Sequence, residues 1–243
     1  MPRRPRTASA VAFLLLASAT WSPSHSALAA TPAHSPAPAA TPTHAPFAAT
    51  SRHAFDDVAH WSAVFDDPAR DAWQKPEELV RALEIGRGMV VADLGAGTGY
   101  FSRYLSAAVG AAGTVFAVDT EPNLVAHLRE RAEHEKTANV TPVLASFDEP
   151  RLPAGALDLV LIVDTYHHLD ARLDYLQRLR RTLKPGGRVA VVDWQARELP
   201  VGPPLEHKIA REQVISEMQA AGYRLVAEPG VLPYQYVLVF GAA

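Results

Sequence analysis

Apolar residues follow two different spacings along this chain, and the two spacings alternate from residue 52 onward. Short continuous apolar runs predict strands, whereas apolar residues at every third or fourth position predict amphipathic helices. The run Leu157–Val163 is interrupted only by Asp158, which is typical of a central strand buried on both faces. The other predicted strands are Met89–Leu94, Thr114–Val118, Val140–Leu144, Arg188–Val192, Tyr223–Glu228 and Tyr236–Phe240.

Helical spacing fills the intervals between these strands. The predicted helices are Tyr100–Val109, Pro122–Glu135, a leucine-rich stretch from Leu169 to Leu183, and Glu212–Ala221, with two more around Trp61 and from Pro76. Residues 184–187, Lys-Pro-Gly-Gly, are predicted to form a turn. The alternation predicts an α/β fold with a doubly wound, mostly parallel sheet and helices on both faces. The last two strands have no helix between them, which predicts that the final strand is antiparallel.

The first 51 residues show neither spacing. Residues 1–30 combine a basic start, an apolar run at 8–19 and a small-x-small site at 27–29, which predicts a secretory signal peptide and export. The apolar run is too short for a stable membrane span, so none is expected after cleavage. Residues 31–51 are rich in Pro, Ala and Thr and predict a solvated linker, followed by one domain at 52–243. The alternative is a cytoplasmic enzyme with a mis-assigned start site.

Charge and cysteine content narrow the functional classes. The net charge is −3, and it becomes more negative if the predicted signal peptide is removed, which argues against nucleic-acid binding. The chain has no cysteine, so a thiolate nucleophile and a zinc–thiolate site are excluded. The histidines and carboxylates show no metal-binding spacing on one helix face, so no metal site is predicted. Nothing in the sequence predicts the oligomeric state.

A glycine-rich segment follows the first predicted strand of the domain. Glycine has no Cβ, so its backbone can approach a ligand closely, and the helix that follows directs its positive end at the same point. The spacing differs from the dinucleotide pattern G-x-G-x-x-G, because Tyr100 stands where the third glycine would fall. The residues expected to contact a cofactor here are Asp93, Gly95, Ala96, Gly97 and Gly99.

An acid also ends the second predicted strand of the domain. Asp119 closes Val115-Phe116-Ala117-Val118, and Thr120 follows it. In doubly wound folds an acid at this place accepts hydrogen bonds from the two ribose hydroxyls of a nucleotide. The alternative is that Asp119 caps the helix that opens at Pro122.

These motifs resemble those of the class I S-adenosylmethionine (SAM)-dependent methyltransferases, in particular small-molecule members such as quinone C-methyltransferases and arsenite methyltransferases. The similarity covers roughly residues 76–240 and rests on the sequence DLGAGTG at 93–99, on Asp119 and on LKPGGR at 183–188. The resemblance implies SAM as cofactor and seven strands in the order 3-2-1-4-5-7-6. Residues 147–153 loosely match the family's adenine segment, which implies adenine contacts for Ser146, Phe147 and Asp148, although Phe147 stands where the family has glycine.

The resemblance also places the methyl group and its acceptor where the fourth strand ends. Asp164 is expected to contact the cofactor and to take part in the reaction, and His167 or His168 is expected to act as a base at neutral pH. The alternative is that one histidine caps the next helix and the other packs. The candidate substrate contacts are Trp73, Tyr166, Asp193 and His207. The segment before Pro76, which contains Trp73, is expected to form a helical lid over the cofactor and the acceptor.

Two functions are compatible with these features. The first is methyl transfer from SAM to a small-molecule acceptor, by in-line displacement at the sulfonium methyl group. The second is an exported SAM- or nucleoside-binding protein without turnover, which an extracytoplasmic location would favour. The sequence does not identify the acceptor.

Overall fold

The fold is that of a computed structural model, which describes residues 48–50, 55 and 57–243. The predicted signal peptide and most of the predicted linker lie outside the described residues, so these two predictions are not tested. No helix within the described part is long and apolar enough to cross a membrane.

One seven-stranded sheet runs through the domain. Its strands are β1 (Val90–Leu94), β2 (Thr114–Asp119), β3 (Val140–Leu144), β4 (Leu157–Val163), β5 (Leu183–Trp194), β6 (Tyr223–Ala227) and β7 (Gln235–Ala242). Their order is β3-β2-β1-β4-β5-β7-β6, and β7 is antiparallel to both of its neighbours while the other pairs are parallel. The predicted fold class, strand order and antiparallel last strand are therefore confirmed.

The helices pack on both faces of this sheet. They are α1 (Val58–Phe65), α2 (Asp71–Gln74), α3 (Pro76–Ala82), α4 (Tyr100–Val109), α5 (Pro122–His134), α6 (Arg172–Arg180) and α7 (Arg211–Ala220). Short 3₁₀ turns occupy Pro68–Arg70, Tyr166–His168 and Leu205–His207. The bounds of α4, β3 and β4 coincide with the predicted ones, those of α5 differ by one residue at its end, and those of α7 by one residue at each end.

Successive residues of the central strands point alternately into two hydrophobic cores, one on each face of the sheet. Val160 and Ile162 of β4 pack with α6 and α7 on one face, whereas Leu159 and Leu161 pack with α3 and α4 on the other. This division follows from the two-residue repeat of a strand. Because β4 is covered on both sides, it reads in the sequence as the continuous apolar run that predicted it.

The region around Leu183 differs from the prediction. The helix predicted up to Leu183 is confined to α6, because Ala171 takes a left-handed φ of +45° before it and Thr182 Oγ1 bonds the Leu179 carbonyl after it. Leu183 already pairs with Leu157 in the sheet. The predicted turn at 184–187 is a looped-out segment inside β5, since pairing resumes between Leu159 and Arg188.

Candidate active site

A cavity of about 760 Å³ opens at the carboxyl ends of β1, β2 and β4. This is the edge where doubly wound sheets bind ligands, because the strand order reverses there. Most of the predicted site residues line it: Asp93, Gly95, Ala96, Gly97, Asp119, Thr120, Ser146, Phe147, Asp164, His167, His168, Trp73 and His207. Four predicted residues do not line it: Gly99, Asp148, Tyr166 and Asp193. A second concavity of about 400 Å³, beside the start of α7, contains none of them.

The glycine-rich loop bends sharply between β1 and α4. Gly95, Gly97 and Gly99 all have left-handed φ angles, of +76°, +56° and +92°. A Cβ on Gly95 would collide with the Thr165 side chain, and one on Gly99 would lie 2.9 Å from Leu128 Cδ2. The loop therefore needs glycine at these positions both for its backbone conformation and for its close packing.

Asp119 lies directly beside this loop. Its Oδ2 accepts a hydrogen bond of 2.8 Å from the Gly97 amide, and its Oδ1 accepts one of 3.1 Å from the Glu121 amide. Burial raises the pKa of its carboxyl, and these backbone donors partly offset the effect. Asp119 is not the N-cap of α5, which is Glu121, although it does bond the amide of that cap residue. Its carboxylate thus lies at the end of β2, as a ribose acceptor would.

Asp93 is buried behind the loop. Ser102 Oγ in α4 donates a 2.7 Å hydrogen bond to its Oδ2. Burial raises the pKa of Asp93 to about 6, even though this bond favours the charged form. A cationic ligand group beside it would lower that pKa again.

The segment predicted to contact adenine is divided by the structure. Ser146 and Phe147 line the cavity, and the Phe147 ring is 74% exposed at its mouth. Asp148 does not line the cavity, because it accepts a 2.8 Å hydrogen bond from Ser146 Oγ and faces Arg178 on the outer surface. The role predicted for Asp148 stays a prediction, and no contact of this side chain with the cavity supports it.

His167 is the predicted base with the best-defined geometry. It is buried in the 3₁₀ turn after β4, and its Nδ1 lies 3.0 Å from both carboxylate oxygens of Asp193 at the end of β5. Burial lowers the pKa of His167, but the carboxylates of Asp193 and, less strongly, Asp164 raise it, and the net pKa lies above the usual value. Since Asp193 holds Nδ1, Nε2 is the nitrogen left to accept a proton.

The other predicted residues after β4 take different places. The His168 ring contacts the Phe55 ring edge-on, with 5.6 Å between centroids, and lines the cavity. Tyr166 is fully buried and donates to Glu217 in the core, so it does not reach the cavity. Asp193 does not line the cavity either, but it bonds His167 and its charge helps to raise the pKa of Asp164, and both of these residues do line it.

The end of the predicted linker is bound to this region. Thr50 Oγ1 donates to the backbone carbonyl of His207 at 2.6 Å, and its amide donates to that of His167 at 2.9 Å. Arg172 also donates to the Ala48 carbonyl. Residues 48–50 differ from the solvated linker that was predicted, because they connect the two histidine-bearing turns.

Aromatic side chains from the segment before β1 cover the cavity. Phe55, Trp61 and Phe65 contact one another with centroids 4.8–6.0 Å apart, and Phe65 lies against Gly97. Trp73 contacts Trp194 at the end of β5 with centroids 5.2 Å apart. These residues occupy the place of the predicted helical lid.

Arg70, Gln74 and Gln235 complete the site around Asp164, and the sequence analysis did not single out Arg70 or Gln235. Asp164 has a left-handed φ of +52° and accepts hydrogen bonds from Arg70 and from Gln235 in β7. Gln74, which was considered only as part of the lid, donates a 2.6 Å hydrogen bond to Gln235. Burial raises the pKa of Asp164 to about 7, although Arg70 favours its charged form. The partners are 71 to 161 residues apart, so no local spacing could have indicated them.

The chemistry of these groups limits what the cavity can bind. Within the described ranges no three histidine, cysteine or acidic side chains lie close enough to hold a metal ion. Asp119 and the glycine-rich loop suit a nucleoside, and the carboxylates suit a ligand that also carries positive charge. Thr98 also lines the cavity, and its Oγ1 is buried and has no hydrogen-bond partner within the described part. SAM fits these residues, since it combines a nucleoside with a sulfonium and an amino-acid group.

Comparison with known proteins agrees with this geometry. A family model described as a methyltransferase domain matches residues 91–187. The demethylmenaquinone methyltransferase of Shouchella clausii is 26% identical over 130 residues, which are 54% of each chain, and that of Lactococcus lactis is 28% identical over 132 residues, 52% of each. The chain thus spans about half the length of these relatives.

Among solved structures, a SAM-dependent methyltransferase from Aquifex aeolicus superimposes with a TM-score of 0.74 and 27% identity, covering 79% of this chain and all of the other. The strand order and the cavity at the carboxyl ends of β1, β2 and β4 are those of the class I methyltransferases. The described domain is a class I SAM-dependent methyltransferase domain, with SAM as its cofactor.

Proposed function

We propose that this protein transfers a methyl group from SAM to a small-molecule acceptor. The observation that carries the proposal is one cavity that combines Asp119, the glycine-rich loop and an Asp193-supported histidine. Asp119 would hold the ribose, the loop from Gly95 to Gly97 would lie against the nucleoside, and Ser146 and Phe147 would flank the base. When bound, SAM supplies an activated methyl group on a sulfonium, which needs no further activation by the protein.

The residues of this chain then have three tasks. The aromatic cover of Phe55, Trp61 and Phe65 excludes water, and Trp73 with Trp194 bounds the space for an acceptor. His167 Nε2 takes the proton of an acidic acceptor group, while Asp193 holds the ring and stabilises its charged form. Alignment of the acceptor behind the methyl carbon contributes most, because it replaces a bimolecular encounter by a fixed geometry.

The first experiment is calorimetric titration of the purified full-length protein with S-adenosylhomocysteine, the product form of the cofactor. We expect binding, and we expect Asp119→Ala to weaken it about tenfold or more, because a charged hydrogen-bond acceptor is lost. Asp174→Ala serves as the comparison, since this exposed acid in the first turn of α6 does not line the cavity. Absence of binding by a protein that melts cooperatively would contradict the proposal.

Turnover separates this proposal from the binding protein without catalysis. The relatives named demethylmenaquinone methyltransferase make demethylmenaquinone the first acceptor to test. Smaller aromatic hydroxyl compounds, sized for the part of the cavity that Trp73 and Trp194 bound, come next. Formation of S-adenosylhomocysteine that depends on the acceptor supports an enzyme. Tight cofactor binding with no turnover on any acceptor would favour the binding protein.

We also propose that the protein is exported, on the composition of residues 1–30. Cell fractionation followed by mass spectrometry of the purified protein tests this. A mature chain that starts near residue 31 outside the cytoplasm supports export, and an intact start in the cytoplasm contradicts it.

A further inference from the structure

Two of the histidines that line the cavity lie in turns from distant parts of the chain. His167 belongs to the 3₁₀ turn after β4, and His207 to the 3₁₀ turn Leu205–His207 before α7. Thr50 bonds both turns, because its amide donates to the His167 carbonyl at 2.9 Å and its Oγ1 donates to the His207 carbonyl at 2.6 Å. A hydroxyl carries one proton, so the 3.2 Å contact of Oγ1 with the His167 carbonyl is secondary. Thr50 therefore joins the two turns through their backbones, with one donor to each.

The segment that contains Thr50, residues 48–50, forms a strap that is anchored in the core. Arg172 Nη1 in α6 donates to the Ala48 carbonyl at 2.6 Å. The Arg172 side chain is buried and pairs with Glu217 in α7, with N–O distances of 2.6 and 2.9 Å. Losing a carbonyl partner is unfavourable for a buried guanidinium, so Arg172 favours the bound position of the strap.

The place of the His167 ring depends on its backbone as well as on Asp193. Asp193 fixes Nδ1 at 3.0 Å, but the ring belongs to a turn of three residues that closely follows the left-handed Asp164. A base must lie within about 3.2 Å of the proton that it removes. A displacement of about 1 Å can lower a rate about a hundredfold. A fixed turn backbone is therefore a condition for base catalysis at Nε2.

The second turn follows a loop that bounds the space for an acceptor. Pro203 and Pro204, which lead into this turn, line the cavity together with His207. Gly202 lies against the Trp194 ring, so closely that an added Cβ would be 2.7 Å from it. Thr50 thus links the turn that carries the base to the loop that packs on Trp194.

We propose that Thr50 is a positioning residue for methyl transfer, which holds the base-bearing turn at a fixed distance from the turn Leu205–His207. The inference rests on the proposed function. Thr50 does not line the cavity, so it acts through the two backbone carbonyls. Every group in this link belongs to the chain, so the link is formed before any ligand binds. An acceptor that contacts the second turn then presents its proton at a constant distance from His167 Nε2.

The test removes one donor with little change in the shape of the side chain. Thr50→Val loses the hydroxyl bond to His207 and keeps the amide bond to His167, whereas Thr50→Ser keeps both. We expect Thr50→Val to bind S-adenosylhomocysteine within about twofold of the unaltered protein and to lower kcat about tenfold or more, on demethylmenaquinone or another acceptor that supports turnover. KM for SAM should stay within about twofold, and Thr50→Ser should restore kcat.

A second readout needs no ligand. NMR of protein with ¹³C-labelled histidine follows the His167 ring, whose signal is assigned by its absence in His167→Gln. Asp193 and, less strongly, Asp164 raise the pKa of this ring, whereas burial and Arg172 lower it. Thr50→Val loosens the turn, so the pKa of His167 should move towards its ordinary value of 6.5, by about 0.5 or more. Thr50→Ser should titrate as the unaltered protein does.

The matched control is Thr137→Val. The Thr137 amide and hydroxyl both bond the Ala132 carbonyl near the end of α5, at 3.0 and 3.4 Å, and Thr137 does not line the cavity. The same loss of a hydroxyl bond should there leave kcat, cofactor affinity and the His167 titration unchanged.

The outcomes separate this inference from the proposed function. If kcat on an active acceptor or the His167 titration is unchanged in Thr50→Val, the inference is overturned, and so it is if Thr50→Ser does not restore the loss. A lower Tm and weaker cofactor binding without a change at His167 would show that Thr50 supports the fold only. If the unaltered protein does not bind S-adenosylhomocysteine, the proposed function itself fails, while the His167 titration still tests the link through Thr50.

Discussion

At the scale of single residues, the contact between His167 and Asp193 decides which imidazole nitrogen can accept a proton. With an acceptor that ionises during the reaction, kcat should rise with pH through the pKa of His167, because only the neutral ring is a base. His167→Gln should lower kcat by about 10²–10⁴-fold and spare binding of S-adenosylhomocysteine. Asp193→Asn removes the charge that raises this pKa, so the inflection should move to lower pH. A pH profile that is unchanged in Asp193→Asn would refute the assignment.

The sequence predicts a site residue when the end of a predicted strand and the spacing of nearby glycines are enough to locate it. Asp119 and Gly95 can be placed because a strand, an acid and a turn succeed each other locally. Arg70 and Gln235 could not be predicted in this way, because each contacts Asp164 only in the folded chain. Arg70 lies 94 residues before Asp164 in the sequence, and Gln235 lies 71 residues after it. Tyr166 shows the opposite failure, because a residue next to a site can still point into the core.

At the scale of elements, the turn between β1 and α4 depends on the absence of a side chain. Gly95→Ala should cost more free energy of unfolding than the strained φ alone, because its Cβ would collide with Thr165. Gly155→Ala is the control, since Gly155 has a φ of +61° but no atom within 4 Å of the added carbon. We expect about 1–2 kcal/mol for Gly155→Ala and a clearly larger loss for Gly95→Ala in urea unfolding.

A second substitution tests the cause of that difference. Thr165→Gly in the Gly95→Ala background should recover the part due to the collision and leave the part due to φ. Measured against Thr165→Gly alone, which itself loses the hydrogen bond to the Val163 carbonyl, the added Gly95→Ala should therefore cost about as much as Gly155→Ala. Equal costs for Gly95→Ala and Gly155→Ala would show that Thr165 moves aside freely.

The elements that the sequence predicted well are those that a single pattern defines. Apolar runs predicted the positions of β3 and β4. Glycines at both ends of α4 and the proline at the start of α5 predicted the positions of these helices. The stretch from Leu169 to Leu183 misled the analysis, because its leucine spacing continues beyond α6 into a strand. Only pairing of Leu183 with Leu157 shows that the chain has already entered the sheet, and that contact is not local.

At the scale of the whole molecule, the buried site lowers stability as its carboxyls ionise. Burial raises the pKa of Asp93 to about 6, so the folded protein holds this proton where the unfolded chain, with its ordinary value of 3.8, has released it. The contribution of Asp93 to stability is complete below pH 3.8 and is lost as the pH rises through about 6. Asp93→Asn should therefore gain about 1–3 kcal/mol relative to the unaltered protein between pH 4 and pH 7.5.

Asp158→Asn provides a control of opposite sign. Lys184 and the Val90 amide bond Asp158, and they outweigh burial so that its pKa is lowered. Its stabilising contribution is present above the ordinary pKa and is lost as the pH falls, so Asp158→Asn should become relatively less stable as the pH rises. Urea unfolding at several pH values measures both variants. Shifts of the same sign in the two would contradict the argument.

The place of β7 in the sheet has a consequence for the order in which the site comes into being. β7 follows every other strand in the chain, yet it lies inside the sheet, between β5 and β6. Gln235, its first residue, secures Asp164. During synthesis the glycine-rich loop and Asp119 are made early, whereas the support for the charged end of the cavity arrives last. The side-chain support of Asp164 is therefore complete only after β7 has emerged from the ribosome and inserted into the sheet.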